Sequence, residues 1–334
     1  MPEPLLLIVV IIIIALIFDF GNGINDAANS VATVVATGTL TIRTAVILAA
    51  IMNFAGVFLF TTAVATTIAK GIVSPSFISA YVILAGLIGA IAWTYGTTYL
   101  GLPISVSHAL IGGMVGAAVV KAGFHAVIFS GLSKVVLFIF IAPLLGMVLS
   151  SVFAVLVMWI FRKAHPSRTK GLFRKLQILS ASVYSLSHGT NDAQKTVGII
   201  SILLFSSGYL GAQFHIPWWV IILSYTTISL GTLAGGMKVI KTMGQRITKL
   251  QPVDGFCAET AGAGTILMCS FLGIPVSTTH VIAGSIMGVG SVKRFGAVRW
   301  IMARRILAAW VLTIPVSAAI GAFSYFLISL LPAA

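Results

Sequence analysis

Asn25-Asp26 and Asn191-Asp192 each set an amide oxygen beside a carboxylate in an otherwise apolar part of the chain. Amide and carboxylate oxygens are the ligands a hard cation takes. An ionisable group inside an apolar segment is a functional group by default, because burying it is costly. Sodium is the cation these residues are expected to hold. A competing reading makes the two aspartates caps of broken helices, which does not exclude the ligand role.

A second pair of motifs is rich in hydroxyls. Gly101-Leu102-Pro103-Ile104-Ser105-Val106-Ser107-His108 recurs as Gly273-Ile274-Pro275-Val276-Ser277-Thr278-Thr279-His280, followed by Gly112 and Gly116 in one copy and Gly284 and Gly288 in the other. Proline is tolerated in a first helical turn and Ser or Thr caps it, so each motif reads as a helix starting inside an apolar segment. Such a start leaves N–H groups unpaired, at several kcal/mol each in hydrocarbon unless something satisfies them. An oxyanion of the phosphate type would do so, drawn by the positive helix end and by the hydroxyls of Ser105, Ser107, Ser277, Thr278 and Thr279. The alternative is that these hydroxyls only cap and pack small-residue helix interfaces. A cation bound beside the anion would cancel its charge, and each ion would raise the other's affinity by the same factor.

Around the aspartates the copies differ, with Ala28 and Asn29 in the first standing where the second has Gln194 and Lys195. Lys195 either attracts the anion or snorkels to an interface. His108 and His280 follow the hydroxyls directly and are expected to bond neighbouring groups rather than shuttle protons. Glu259, at the end of Pro252-Val253-Asp254-Gly255-Phe256-Cys257-Ala258-Glu259, is either a further cation ligand or half of an interfacial ion pair with Lys249 or Arg246.

The elements that must position these residues are membrane-spanning. Of 334 residues 59% are hydrophobic and 8% charged, a balance that places the chain in a bilayer. Charge-free stretches run over 44–69, 71–120, 135–161, 196–237, 260–292 and 306–334, several long enough for two passes at about 20 residues each. Residues 5–18 lack a preceding basic region and a following cleavage site, so a retained first helix is expected. Cys257 and Cys269 have no metal or disulfide spacing. The net charge of +14 is topological, so no nucleic-acid partner is expected: Arg162, Lys163, Arg168, Lys170, Arg174 and Lys175 share one polar segment, which marks a cytoplasmic side.

The motifs divide the chain into repeats at 1–161 and 177–334, joined by a basic linker at 162–176. Residues 238–249 hold Lys238, Lys241, Arg246 and Lys249, and residues 293–305 hold Lys293, Arg294, Arg299, Arg304 and Arg305. Their counterparts 172 residues earlier hold only Lys70 and Lys121. If basic loops face the cytoplasm, the repeats lie in opposite orientations, the architecture of many secondary transporters. The fold expected is an all-α polytopic membrane protein with two inverted-topology repeats, broken or re-entrant helices, and roughly 10–12 hydrophobic elements.

With Gly-x-Asn-Asp-Ala twice, Pro-x-Ser-x-Ser/Thr-His twice and Pro-Val-Asp-Gly-Phe-Cys-Ala-Glu once, the chain resembles the inorganic phosphate transporter (PiT) family over nearly its full length. The resemblance implies secondary active import of inorganic phosphate by sodium symport, a multi-pass inner-membrane location and a homodimer. It implies a sodium set of Asn25, Asp26, Asn191 and Asp192, beside which the residue reading keeps Glu259 as a candidate additional cation or coupling residue. It implies a phosphate set of Ser105, Val106, Ser107, Ser277, Thr278 and Thr279, to which the residue reading adds Gln194 and Lys195 as expected phosphate ligands. Proton-coupled, metal-phosphate and sulfate carriers share the fold, so ion and substrate do not follow from it alone. An intramembrane aspartyl protease is disfavoured because each Asp follows an Asn in a duplicated motif, and no enzyme activity is expected. A passive anion channel would equilibrate phosphate without accumulating it.

Overall fold

The computed structural model describes residues 3–331. The first half contains α1 (Leu5–Ala36), α2 (Ile42–Ala55), α3 (Ala63–Lys70), α4 (Ala80–Leu100), α5 (Val106–Ala122) and α6 (Phe129–Ile160). The second contains α7 (Pro166–Ser206), α8 (Trp218–Ala234), α9 (Met237–Gln245), α10 (Pro252–Phe271), α11 (Thr278–Lys293) and α12 (Trp300–Ser329). Among the described residues no strand forms beyond a single bridge between Val73 and Val127.

The same turn chemistry recurs in both halves. α4 ends on Gly101 (φ 71°) and α10 is followed by Gly273 (φ 68°), both in the left-handed region where a side chain is strained. Each closes with paired bonds, Gly101 N–H to Thr98 O with Leu102 N–H to Thr97 O, and Gly273 N–H to Ser270 O with Ile274 N–H to Cys269 O. This is the Schellman stop. The following proline and extended residues carry the chain to Ser105 and Ser277, whose hydroxyls accept from the His108 and His280 N–H groups at 3.2 and 3.3 Å. α5 and α11 therefore begin where the sequence places them.

Packing between the halves is reciprocal. α5 lies against α12 and α11 against α6, while α1 packs on α8 and α9 as α7 packs on α2 and α3. Glycines set the closest approaches: a Cβ on Gly116 would stand 2.0 Å from the Ala318 carbonyl oxygen, and one on Gly284 would stand 2.1 Å from that of Pro143. The small-residue reading of this stretch thus holds for its glycines, while the hydroxyls ahead of them lie at the helix starts.

Among the described residues, five helical segments are long and apolar enough to cross a membrane: Leu5–Ala36, Ile42–Leu59, Ala80–Leu100, Phe129–Ile160 and Trp300–Ser329. α8 and α9 meet the same criterion only as a pair, bent by 74° at the break between them, the geometry of a broken span or a re-entrant loop. On α6, Leu137, Phe140, Leu144, Val148, Val152, Val155 and Trp159 are exposed at helical spacing, an unbroken apolar face suited to lipid.

Two details depart from the sequence reading. The Asn-Asp motifs do not break their helices, since α1 and α7 run straight through them and Asp26 and Asp192 are interior residues rather than caps. Of the basic segment 162–176, only residues up to His165 are non-helical; Pro166 starts α7, where its missing N–H is no loss.

Candidate functional site

On α1 the buried polar residues Asp19, Asn22, Asp26, Asn29 and Thr33 recur at steps of three and four, so they form one stripe. α7 carries the matching stripe Ser185, His188, Asp192 and Lys195, also buried. At the middle of both stripes Asp26, His188 and Asp192 offer ligand atoms that all lie within 4.8 Å of one another. His188 Nε2 stands 3.7 Å from one carboxylate oxygen of each aspartate. Asn53 donates its amide to Thr232 at 2.8 Å, which turns its carbonyl oxygen to His188 Nδ1 at 3.1 Å. In the neutral ring Nδ1 then holds the proton and Nε2 faces the carboxylates as an acceptor.

The start of α11 reaches this centre. Thr278 and Thr279 donate to the Asp26 carboxylate at 3.4 and 3.2 Å, and Asn29 donates its amide to the same hydroxyls at 3.3 and 2.9 Å. Thr279 also reaches the Ile104 carbonyl at 2.9 Å, in the extended run before α5. Tyr184, on α7, donates to the Thr278 carbonyl at 3.0 Å. Thr278, Thr279, Asp26 and Asp192 are thereby gathered in one place, with Ser105 and Ser277 as caps and Val106 and Ser107 buried in the first turn of α5.

The two asparagines of the motifs are tied identically. Asn25 donates to Thr98 at 2.7 Å and Asn191 to Ser270 at 2.8 Å, and Ser270 follows Thr98 by the same 172 residues that separate the helix starts. Their carbonyl oxygens are left buried without a partner, as are those of Asn29 and the Oδ2 of Asp192. Buried acceptors without donors are rare, and a cation satisfies them with the ligands it prefers.

Other residues settle differently. Lys195 does not snorkel; it is fully buried, with Nζ 2.7 Å from Asp192 Oδ1 and 3.4 Å from the Val276 carbonyl. Gln194 turns away from the centre and accepts from the N–H groups of Val64 and Ala65 at 3.1 and 3.2 Å, capping α3. Gln194→Ala should therefore cost about 0.5–2 kcal/mol of stability, the range of a lost cap, with phosphate affinity unchanged; thermal melting and a binding isotherm check both. Glu259 accepts from Thr33 at 2.5 Å, Gln177 at 3.1 Å and Ser180, so its oxygens already have donors. Among the described residues it forms no ion pair with Lys249 or Arg246; the acid near that interface is Asp254, paired with Lys293. His108 and His280 meet edge to face at 5.0 Å, and His280 stacks on Trp310 at 3.8 Å.

Sequence reasoning missed His188, Asn53, Asp19 and Asn22. His188 and Asp19 could have been found from the stripe spacing, His188 lying one turn before Asp192 and Asp19 two turns before Asp26. Nothing in the sequence marks Asn53, which reaches the site from α2.

Comparison with known proteins places the chain in a family. The profile of the phosphate transporter family matches residues 22–170 and 162–321. The chain is 50% identical over 320 residues to a Rhizobium meliloti protein named "Probable low-affinity inorganic phosphate transporter", covering 96% of each. A Bacillus subtilis protein of the same name is 44% identical over 98% of each chain. Among solved structures, one described as "The sodium-dependent phosphate transporter" superposes with a TM-score of 0.87 at 28% identity, over 98% of this chain and 100% of that one. The chain belongs to the phosphate transporter family, a multi-pass membrane protein whose relatives are named as transporters and permeases rather than enzymes.

Proposed function

We propose that this member of the phosphate transporter family imports inorganic phosphate as a secondary active symporter, coupled to sodium and working by alternating access. The observation that carries the reading is the direct bond from the α11 start to the cation centre, Thr278 and Thr279 to Asp26. The hydroxyls that would meet a phosphate oxygen are the ones now donating to the carboxylate. A sodium ion on Asp26, Asn25, Asn191 and Asp192 would compete for that carboxylate and free the threonines for the anion. Binding of one ion thus prepares the place of the other, which is coupling by a shared hydrogen-bond set.

The solved relative described as sodium-dependent supports the choice of ion, and the unpartnered oxygens of Asn25, Asn191 and Asp192 are of the kind sodium takes. The repeats lie in opposite orientations on this reading, supported by the reciprocal packing and by the unequal loop charges. The basic segment 162–176 then faces the cytoplasm, and the carrier works in the inner membrane as a homodimer. Purified protein in liposomes should accumulate radiolabelled phosphate when an inward sodium gradient is imposed, in the presence of excess sulfate. Accumulation driven only by protons would refute sodium coupling, equilibration without accumulation would indicate a channel, and inhibition by sulfate would refute the choice of anion.

A further inference from the structure

The two Asn-Asp motifs differ in charge three residues beyond the aspartate, where one half has Asn29 and the other Lys195. Asn29 leaves Asp26 in the company of Thr278, Thr279 and His188. Lys195 instead places its ammonium on Asp192 Oδ1 at 2.7 Å and on the Val276 carbonyl at 3.4 Å, fully buried. A carboxylate oxygen and a main-chain carbonyl beside a helix start are ligands a hard cation would take. The neighbouring Asn191 Oδ1 and Asp192 Oδ2 are buried without donors. A single positive charge fixed to the chain therefore occupies one of two places that the duplicated motif makes equivalent.

We propose that the Lys195 ammonium stands in for one coupling cation, so that this carrier moves one sodium ion fewer per phosphate than the same chain with asparagine at 195. The inference rests on the symport reading. A tethered ammonium neutralises Asp192 as a bound ion would, but it is never released on the far side and adds nothing to the driving force. The chain gives up accumulating power for a half-site that is always filled. Lys195→Asn would return the second half to the pattern of the first, leaving the Asp192 carboxylate and the Val276 carbonyl at the vacated place.

The test uses purified full-length protein in liposomes, with the membrane potential clamped at zero and pH equal on both sides. The slope of log phosphate accumulation against log sodium gradient counts the sodium ions moved per phosphate. In Lys195→Asn this slope is expected to rise by one ion, and saturation binding of radioactive sodium by one ion per chain. An unchanged slope in a folded variant, or two sodium ions already bound per wild-type chain, would overturn the role given to Lys195. Should the variant fail to fold, the wild-type count decides alone, one ion supporting the proposal and two refuting it. Wild-type uptake indifferent to sodium and driven by protons would contradict the symport reading and this inference with it.

Discussion

Asp26→Asn is expected to give a folded carrier that has lost its sodium stimulation, whereas Asp192→Asn is expected to lose folded protein. Asparagine at 26 keeps a carbonyl oxygen for the Thr279 hydroxyl, and its new amide can donate to the Thr278 hydroxyl or to His188 Nε2, both close to the present carboxylate. What disappears is the charge proposed to hold the cation, and with it a coupling on the order of 5–150-fold for about 1–3 kcal/mol. At Asp192 the same change removes the one carboxylate that, among the described residues, is bonded to the buried Lys195 ammonium. Breaking one side of a buried ion pair costs about 3–5 kcal/mol, because the surviving charge is left without compensation. Uptake with and without sodium, beside melting temperature in detergent, separates the two outcomes. The sequence alone suggests the same folded, uncoupled behaviour for both variants, and the bond between Lys195 and Asp192 is what distinguishes them.

Gly116→Ala and Gly284→Ala should destabilise the protein by about 3 kcal/mol or more each, at the upper end of overpacking costs. Alanine normally improves a helix by about 1 kcal/mol over glycine, so the sign depends on space. At these positions the new Cβ would stand 2.0 Å from Ala318 O and 2.1 Å from Pro143 O, main-chain atoms that cannot turn aside. Either α5 must separate from α12, and α11 from α6, or the variant does not assemble. Gly264→Ala in α10 is the control: nothing lies within 4 Å of its added Cβ, so it should be neutral or stabilising. Equal melting temperatures for Gly116→Ala, Gly284→Ala and Gly264→Ala would contradict the close packing of the half-helices.

The starts of α5 and α11 were legible because proline, serine and a left-handed glycine act locally, each through its own backbone. The duplication was legible for the same reason, since identical local chemistry leaves identical residues. The continuity of α1 and α7 was not. Gly-x-Asn-Asp has poor helix propensity in isolation, and what carries the helix through it is contact with the other half, α8 and α9 on α1 and α2 and α3 on α7. The sequence reading sets Gln194 among the anion ligands with Lys195, yet successive helical residues point about 100° apart and it faces α3 instead. Glu259 lies buried in α10, and its donors come from three distant positions, Thr33, Gln177 and Ser180, that no spacing in the sequence connects.

The most direct test of the shared site is equilibrium binding by the purified protein: phosphate affinity with and without sodium, and sodium affinity with and without phosphate. Coupling through Asp26, Thr278 and Thr279 predicts that each ion raises the affinity of the other by one and the same factor, and that Asp26→Asn abolishes both effects. Phosphate binding of equal strength with and without sodium in the wild-type protein would contradict the account.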